Sequence, residues 1–335
     1  MIDFCVKLRT GGIDFGLSDQ GNPDFATIRE MALLCERLGY QAVLLTDHIA
    51  LSQGPLPECW ITLSALAAIT TKIKVGPFAS VLPYRHPVLL AKMAATLDDL
   101  SGGRLQLFVG AGGWGQDVQK RVYGIEMPPV GERLERLREA VLVMRKMWSE
   151  EAVSFQGKYY SLDGAVCNPK PAQKPLPVWI GGSKEHLLRV AAEVADGWDA
   201  GLCTPDGYDR MAEVLERHCE SIGRDVAEIS RSYNCETVII APSESELSRR
   251  KARLFEPMLR NKQSHAVDEI RQMPEADYLA RRAPFVGTPQ QIVDQIGEFK
   301  RRGVTNFVLN FPDLEKRESL QRFAEEVIPA FRTNE

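Results

Sequence analysis

Residues 42–47 read AVLLTD, a run that is apolar until its last two positions. The runs LQLFVG at 105–110 and PVWIGG at 177–182 have the same character. Such runs are typical of strands that are buried on both faces, as parallel strands covered by helices are. We therefore expect these three segments to be central strands of a parallel sheet.

Short β-rich runs alternate with longer helical patterns along the whole chain. Eight strands are predicted, at 2–8, 41–47, 73–82, 104–110, 177–181, 197–201, 230–240 and 305–310. Helices are predicted at 24–38, 58–70, 87–100, 131–148, 184–195, 206–221, 289–302 and 316–331. Eight strand–helix units fit an α/β fold of the (β/α)8 TIM-barrel type, and an open doubly wound sheet is the structural alternative.

Two segments fall outside the eight units of what we predict to be a single domain over residues 1–335. Residues 151–176 contain VSFQGKYYSLDG, a pattern typical of a hairpin, followed by a Pro-rich connection. Residues 242–284 are charged and helical in pattern, between the seventh strand and the seventh helix. A connection of that length is usually an inserted subdomain or an active-site lid.

Composition excludes several classes of protein. The net charge of −4, without a long Lys/Arg run, argues against a nucleic-acid surface. The seven cysteines are dispersed and form no C-x-x-C pair, so we expect reduced thiols in a cytoplasmic protein rather than disulfides or a zinc site. The start of the chain, MIDFCVKLRTGG, does not have the pattern of a signal peptide, and no apolar run approaches the ~20 residues of a membrane helix.

In a TIM barrel the chemistry is expected where the strands end. The second strand ends in Asp47-His48, and a carboxylate beside an imidazole can orient a bound ring and move protons near neutral pH. The alternative is a loop with a capping Asp before the next helix, and the dipeptide alone leaves both interpretations open.

The third strand contains Gly76-Pro77, which predicts a bulge or a close approach of the backbone to a neighbour. Arg85 and His86 follow, just before a helix that starts with Pro87. For these two residues we expect surface or capping roles.

Two glycine-rich turns end the fourth and fifth strands. Residues 110–113 read GAGG, which lets backbone N–H groups approach an anion or a flat ring. Residues 181–183 read GGS before a helical pattern, and a Ser N-cap at a helix start can bind an anion. A plain capped helix is the alternative for the second turn, but two such turns at one rim favour a phosphate site. No pattern of ligands indicates a metal.

Several longer runs carry a family likeness. RHPVLLAKMAATLD at 85–98, VGAGGW at 109–114, NPKPAQKPLPVWIGG at 168–182 and FVGTPQQIVDQIGEF at 285–299 resemble the luciferase-like monooxygenase superfamily. ECWITLSALAAIT at 58–70, with TDH before it, is typical of the branch that depends on coenzyme F420, an 8-hydroxy-5-deazaflavin. The FMN-dependent branch shares much of the pattern and is the alternative.

The resemblance implies a TIM-barrel oxidoreductase that transfers a hydride between coenzyme F420 and a small organic substrate. The alternative function is an FMN-dependent monooxygenase that uses reduced flavin and O2, and a third is a protein that only binds the coenzyme. Barrels of this family commonly form homodimers, and neither a membrane nor a nucleic acid is an expected partner.

The resemblance also implies roles for matched residues. Asp47 and His48 would lie beside the coenzyme ring, with His48 as the proton donor or acceptor. Phe78-Ala79 matches the bulge where a non-prolyl cis peptide supports the ring. The backbone that holds the phosphate and ribityl tail would be that of Ala111, Gly112, Gly181, Gly182 and Ser183.

Three departures from the family pattern leave the substrate-side chemistry open. Gly76-Pro77 replaces the usual Gly-Thr, and Gly113 is an extra glycine. In the family an acidic residue commonly lies two or three positions after the Trp that corresponds to Trp114. In this sequence those positions hold only Gln116 and Asp117.

Overall fold

The computed structural model describes residues 2–8, 23–49, 56–113, 122–263, 268–313 and 317–332. The strands in this part of the chain are β1 (Asp3–Lys7), β2 (Ala42–Leu45), β3 (Lys74–Pro77), β4 (Ser80–Val81), β5 (Leu107–Gly110), β6 (Val153–Gln156), β7 (Ser161–Ala165), β8 (Val178–Gly181), β9 (Gly197–Gly201), β10 (Ser230–Cys235), β11 (Val238–Ile240), β12 (Phe285–Gly287) and β13 (Asn306–Leu309). The α-helices are α1 (Phe25–Leu38), α2 (Cys59–Ile69), α3 (Pro87–Leu100), α4 (Val130–Ser149), α5 (Glu185–Val194), α6 (Pro205–Ser221), α7 (Glu244–Gln263), α8 (Asp268–Gln272), α9 (Glu275–Arg282), α10 (Pro289–Arg301) and α11 (Glu318–Arg322).

Nine strands form one sheet in the order β3-β2-β1-β13-β10-β9-β8-β5-β4, and all their pairings are parallel. β3 and β4 are two halves of the predicted third strand, interrupted at a cis Phe78–Ala79 peptide. A parallel bridge between Val75 and Leu105 joins the two ends of the sheet. The sheet therefore closes into a barrel of eight strand positions, which confirms the TIM-barrel prediction and rules out the open sheet.

Alternate residues of each strand face the barrel interior and the surrounding helices, as the two-residue period of a strand requires. Cys5, Leu44, Phe108 and Val308 belong to a cluster inside the barrel. Residues next to them in sequence, such as Val43, belong to the larger core between barrel and helices. Side chains near the strand ends on the interior side can thus reach a ligand at the barrel mouth.

Local residues set the ends of α1 and the start of α3. Asp24 accepts a hydrogen bond from the Thr27 N–H at the start of α1, and Gly39 ends that helix with a φ of 79°. His86 caps α3 through its side chain, and Pro87 takes the first helical position, where no backbone donor is needed.

The seventh and last units differ from the prediction. Residues 230–240 form two strands, because β11 leaves the barrel and pairs in parallel with β12. The two halves differ in character, because β10 (SRSYNC) is mostly polar with buried and exposed positions, whereas β11 (VII) is apolar and buried. The prediction of a single strand did not use this change in composition. The predicted helix 316–331, described here from residue 317, is α-helical only in α11 and continues as a π-helix and a 3-10 helix, the latter with Pro329 near its start.

Two groups of elements lie outside the barrel. β6 and β7 form an antiparallel hairpin, followed by cis prolyl bonds at Asn168–Pro169 and Lys174–Pro175. Helices α7, α8 and α9 lie between β11 and β12, and residues 264–267 of this segment are outside the described part of the chain. A separate apolar cluster that includes Ile239, Leu254 and Tyr278 joins these helices to β11.

All seven cysteines are buried and unpaired with one another. Among the described residues, no helix is both long and apolar enough to cross a bilayer.

Candidate functional site

The ends of the second, third and fourth barrel strands adjoin one another at the cis peptide. The Phe78 N–H donates to the Leu45 carbonyl at 2.7 Å, which fixes the third strand against the end of β2. A Cβ built on Gly110 would lie 3.6 Å from the Ala79 Cβ, so the start of the first glycine turn adjoins the same peptide. The barrel therefore places the Phe78–Ala79 break beside the start of the first glycine turn.

Asp47 is buried, with 4% of its surface exposed, and its carboxylate is held by several donors. The Val81 N–H donates at 2.9 Å and the Ser80 hydroxyl at 3.2 Å. The Arg85 guanidinium donates through both terminal nitrogens, at 2.5 and 3.0 Å. These bonds orient the carboxylate toward the residues after the cis peptide, so Asp47 ties the second strand to the third. Asp47 does not cap the next helix, since that role belongs to Glu58.

Arg85 is a site residue that the sequence interpretation missed. The expectation of a surface role is wrong, because its side chain is only 12% exposed and also contacts Glu58 at 2.7 Å. The expectation for His86 is confirmed, since its Nδ1 accepts from the Val88 N–H at 3.3 Å. The available signal for Arg85 was its position at the barrel rim, directly after the third strand.

His48 follows Asp47 at the mouth and is partly buried. Burial lowers the pKa of its imidazole, the nearby Asp47 carboxylate opposes this, and the positive charge of Lys7 adds to it. The neutral imidazole therefore predominates near pH 7, and this form can accept a proton.

Three aromatic rings line the barrel interior next to the cis peptide. The Phe78 and Phe108 ring centroids are 4.9 Å apart in an edge-to-face contact. Phe108 in turn lies 5.4 Å from Trp179, which is two residues before Gly181. Phe78 and Trp179 are only partly buried, so this aromatic floor (Phe78, Phe108 and Trp179) leaves apolar surface that a flat ring could cover.

The two glycine turns differ in their surroundings. Gly112 has a φ of 76°, which favours glycine, and a Cβ there would lie 3.3 Å from Val81 Cγ1. Gly182, by contrast, uses both backbone groups within the protein: its N–H donates to the Asp199 carbonyl, and its carbonyl accepts from Trp198, both at 2.9 Å.

The prediction that Ser183 caps the following helix is wrong. Helix α5 begins at Glu185, its N-cap residue is Lys184, and no side chain caps it. Ser183 is exposed, and Gly182 lies against the Leu187 side chain. The Gly181–Ser183 turn is thus a tight connection between β8 and α5 rather than a capped helix start.

Of the remaining candidates, Ala111 is buried, and Gln116 and Asp117 lie outside the described residues.

A hydrogen-bonded polar chain crosses the barrel interior, and the sequence interpretation missed it. The Ser232 hydroxyl donates to Asp199 at 2.6 Å, and the Asn306 amide donates to Ser232 at 2.9 Å. Burial raises the pKa of Asp199 to about 7, against the effects of the Ser232 hydrogen bond and the Lys7 charge. The alternation of side-chain direction along GWDAG, residues 197–201, could have revealed this interior polar residue. Trp198 faces the helices, so its neighbour Asp199 faces the barrel interior.

Comparisons with known proteins agree with this architecture. A profile of the family described as "Luciferase-like monooxygenase" matches residues 10–306. An F420-dependent glucose-6-phosphate dehydrogenase of Segniliparus rotundus is 27% identical over 333 residues, covering 94% of this chain and 96% of the relative. The relatives thus include proteins of the F420-dependent branch that the sequence resembles.

Two solved structures share the fold. The coenzyme F420-dependent tetrahydromethanopterin reductase from Methanopyrus kandleri superposes with a TM-score of 0.76, at 22% identity and 99% coverage of both chains. A riboflavin lyase with modified FMN and riboflavin superposes with a TM-score of 0.84, at 17% identity, covering 99% of this chain and 91% of that one. Since the family profile matches most of the 335 residues, the chain belongs to the luciferase-like monooxygenase family.

Proposed function

We propose that this protein is an oxidoreductase that transfers a hydride between coenzyme F420 and a small organic substrate. The observation that carries the proposal is the position of His48, a partly buried imidazole with a lowered pKa. Its neighbour Asp47 is hydrogen-bonded to Val81, two residues after the cis peptide. The F420-dependent names of the full-length relatives support the choice of coenzyme.

The residues at the mouth fit a flat, anionic coenzyme. The aromatic floor offers partly exposed apolar surface beside the Phe78–Ala79 peptide. Gly112 itself adds no side chain to the turn, where a Cβ would already meet Val81 at 3.3 Å. We assign ring contact to Phe78 and Ala79, and tail contact to the backbone of Ala111, Gly112 and Gly181. Gly182 and Ser183 receive smaller roles than the resemblance implies, since the N–H of Gly182 is already used.

The bound deazaflavin would supply the hydride chemistry at its C5 atom. The protein supplies orientation and proton transfer. His48 accepts the proton of a substrate hydroxyl when the substrate is oxidised, and returns it in the reverse direction. Asp47 fixes the chain next to His48, and the aromatic floor excludes water from one side of the site.

The segment α7–α9 is proposed to border the substrate pocket. Arg282 is buried and forms an ion pair with Glu236, the residue after β10. Burial raises the pKa of the Cys203 thiol near the end of β9 to about 12, and the positive charge of Arg281 is among the groups that oppose this. These interactions connect α9 to the ends of β9 and β10.

The cofactor is tested by titrating the purified protein with oxidised coenzyme F420 and, separately, with FMN. Trp179 lies in the aromatic floor, so quenching of tryptophan fluorescence reports binding. Tight binding of F420, followed by its reduction on addition of an alcohol or sugar phosphate without oxygen, supports the proposal. Tight binding of FMN with oxygen-dependent turnover would instead establish the monooxygenase alternative. Binding of F420 without turnover over a broad substrate panel would leave a coenzyme-binding protein.

We also propose a homodimer that works in the cytoplasm. The buried free thiols of all seven cysteines suit a reducing compartment. Light scattering on the purified protein measures the subunit number, and a single chain in solution would contradict the dimer.

A further inference from the structure

The polar chain inside the barrel ends at the Asp199 carboxyl. The Gln106 amide donates to the Asn306 side-chain oxygen at 3.4 Å, and the Asn306 amide donates to Ser232 at 2.9 Å. The Ser232 hydroxyl then donates to Asp199 Oδ1 at 2.6 Å, so every donor points toward Asp199. Its second oxygen, Oδ2, makes no hydrogen bond with the residues that the structure describes. A buried polar oxygen without a partner is unfavourable, so Asp199 is suited to a partner that arrives with a ligand.

The Oδ2 oxygen of Asp199 lies beside the end of β8, next to the aromatic floor. A Cβ on Gly181, the last residue of β8, would lie 3.5 Å from it. Trp179, on the same face of β8, packs over Gly197 so closely that a Cβ there would collide with the indole ring. Gly197 and Asp199 lie on one face of β9, because side chains alternate along a strand. Asp199 therefore forms a polar edge of the aromatic floor.

Asp199 and His48 border one region of the barrel interior. Burial lowers the pKa of His48 and raises that of Asp199, and the positive charge of Lys7 lowers both. Lys7 ends β1 on the same face as Cys5, which lies inside the barrel. A substrate whose reacting oxygen is at His48 can therefore reach Asp199 with a second group.

Asp199 is a hydrogen-bond donor below about pH 7, because burial raises its pKa to about 7. Since Oδ1 accepts from Ser232, the proton of the neutral acid is carried by Oδ2. Burial also raises the pKa of each thiol and phenol near Asp199, so these groups stay uncharged here; they are Cys5, Cys203, Tyr208 and Tyr233. Lys7 is thus the charged side chain, among the described residues, that acts on Asp199.

We propose that Asp199 is a specificity-determining residue, which hydrogen-bonds through Oδ2 to an uncharged oxygen of the substrate other than the oxygen that reacts. The proposal rests on the proposed function, since it takes His48 as the group at the reacting oxygen. The substrate class is an alcohol or ketone that carries a second, uncharged oxygen acceptor. A substrate with a methylene group at this place would leave the O–H of Asp199 unpaired, so the site distinguishes the two.

The test compares two ketones of nearly equal shape, methoxyacetone and 2-pentanone, which differ by an ether oxygen in place of a methylene group. Their kcat/KM values with reduced coenzyme F420 are measured for the wild type, Asp199→Asn, Asp199→Leu and the control Asp206→Asn. Asp206 is exposed in the first turn of α6. Measurements at about pH 6 and about pH 8 lie on either side of the Asp199 pKa of about 7. The ratio of the two values is compared between variants, so the intrinsic reactivity of each ketone and the titration of His48 cancel.

The wild type should favour methoxyacetone more strongly at the lower pH, because the donor is lost when Asp199 ionises. Asp199→Leu should reduce the ratio at the lower pH by about 2- to 10-fold, as expected for one hydrogen bond. Asp199→Asn keeps a donor and should hold the ratio constant across the two pH values, and Asp206→Asn should match the wild type. With oxidised coenzyme neither ketone reacts. In that complex the infrared carboxyl band that Asp199→Asn removes should shift with methoxyacetone and not with 2-pentanone.

Each other outcome identifies a different failure. An equal ratio in the wild type and both Asp199 variants would overturn the proposal, because Asp199 would then support only the fold. A changed ratio without a band shift would overturn it by placing another group at the oxygen. Neither turnover nor a band shift with either ketone would also overturn it, because no ligand of this class would reach Asp199. If methoxyacetone shifts the band in a protein that does not bind F420, the contact stands and the proposed coenzyme is wrong. Should Asp199→Leu fail to fold, the pH dependence in the wild type and its absence in Asp199→Asn decide alone.

Discussion

The Arg85 guanidinium donates two hydrogen bonds to the Asp47 carboxylate, at 2.5 Å from Nη1 and 3.0 Å from Nη2. The same carboxylate accepts from the Val81 N–H, so it joins the second strand to the residues after the cis peptide. The oxygens of Asp47 are thus engaged within the protein, and its neighbour His48 is the group that we propose for proton transfer.

Replacing Arg85 by Met should destabilise the protein. The substitution leaves the Asp47 carboxylate buried without its cation, a change that typically costs about 3–5 kcal/mol. Urea unfolding measures the difference. The matched control is Arg317→Met, which removes an exposed pair with Glu30 and should cost less than about 1 kcal/mol. Equal, small effects for both variants would show that the buried pair does not support the site.

His48→Ala should remove turnover and leave coenzyme binding nearly unchanged. The imidazole is proposed to move a proton, which contributes about 100-fold or more to rate, rather than to hold the ring. Steady-state kinetics and fluorescence titration give the two quantities separately. His186→Ala, at an exposed position on α5, should behave as the wild type. Lost coenzyme binding with intact turnover per bound complex would contradict the role of His48.

Asp199 should make stability fall as the pH rises from about 4 to 7. Burial raises its pKa in the folded protein from 3.8 to about 7, so the folded state binds the proton more tightly than the unfolded chain does. The stabilisation is complete below pH 4 and is lost by about pH 7, where a pKa difference of about 3 corresponds to roughly 4 kcal/mol. Asp199→Asn keeps an acceptor for Ser232, and unfolding measured across this range should lose that slope. An unchanged slope in the variant would assign it to other groups.

Gly76→Ala should disturb the barrel where the third strand approaches the fourth. A Cβ at Gly76 would lie 1.9 Å from the Gln106 carbonyl oxygen, which is backbone and cannot move aside easily. We expect a loss of about 1–3 kcal/mol or more in thermal unfolding experiments. Gly113→Ala is the control, because nothing lies within 4 Å of its Cβ position. A neutral Gly76→Ala variant would mean that the two strands are not closely apposed.

The sequence reveals the barrel because its signals are local. A run such as AVLLTD depends on neighbours a few residues away, and it reappears in the structure as β2. The missing site residues depend on distant partners. Asp47 and Arg85 are 38 positions apart, and Asp199 and Ser232 are 33 positions apart. The departure of β11 from the barrel also depends on a distant partner, since Val238 of β11 pairs with Phe285 of β12.

The central claim is that His48, the Phe78–Ala79 peptide and the Gly112 turn surround one coenzyme, and a crystal structure with coenzyme F420 bound tests it most directly. The account predicts the deazaflavin ring against Phe78–Ala79, with His48 beside it and the phosphoryl tail at the Gly112 turn. A ring bound away from this peptide, or a phosphoryl group on the opposite side of the barrel mouth, would contradict it.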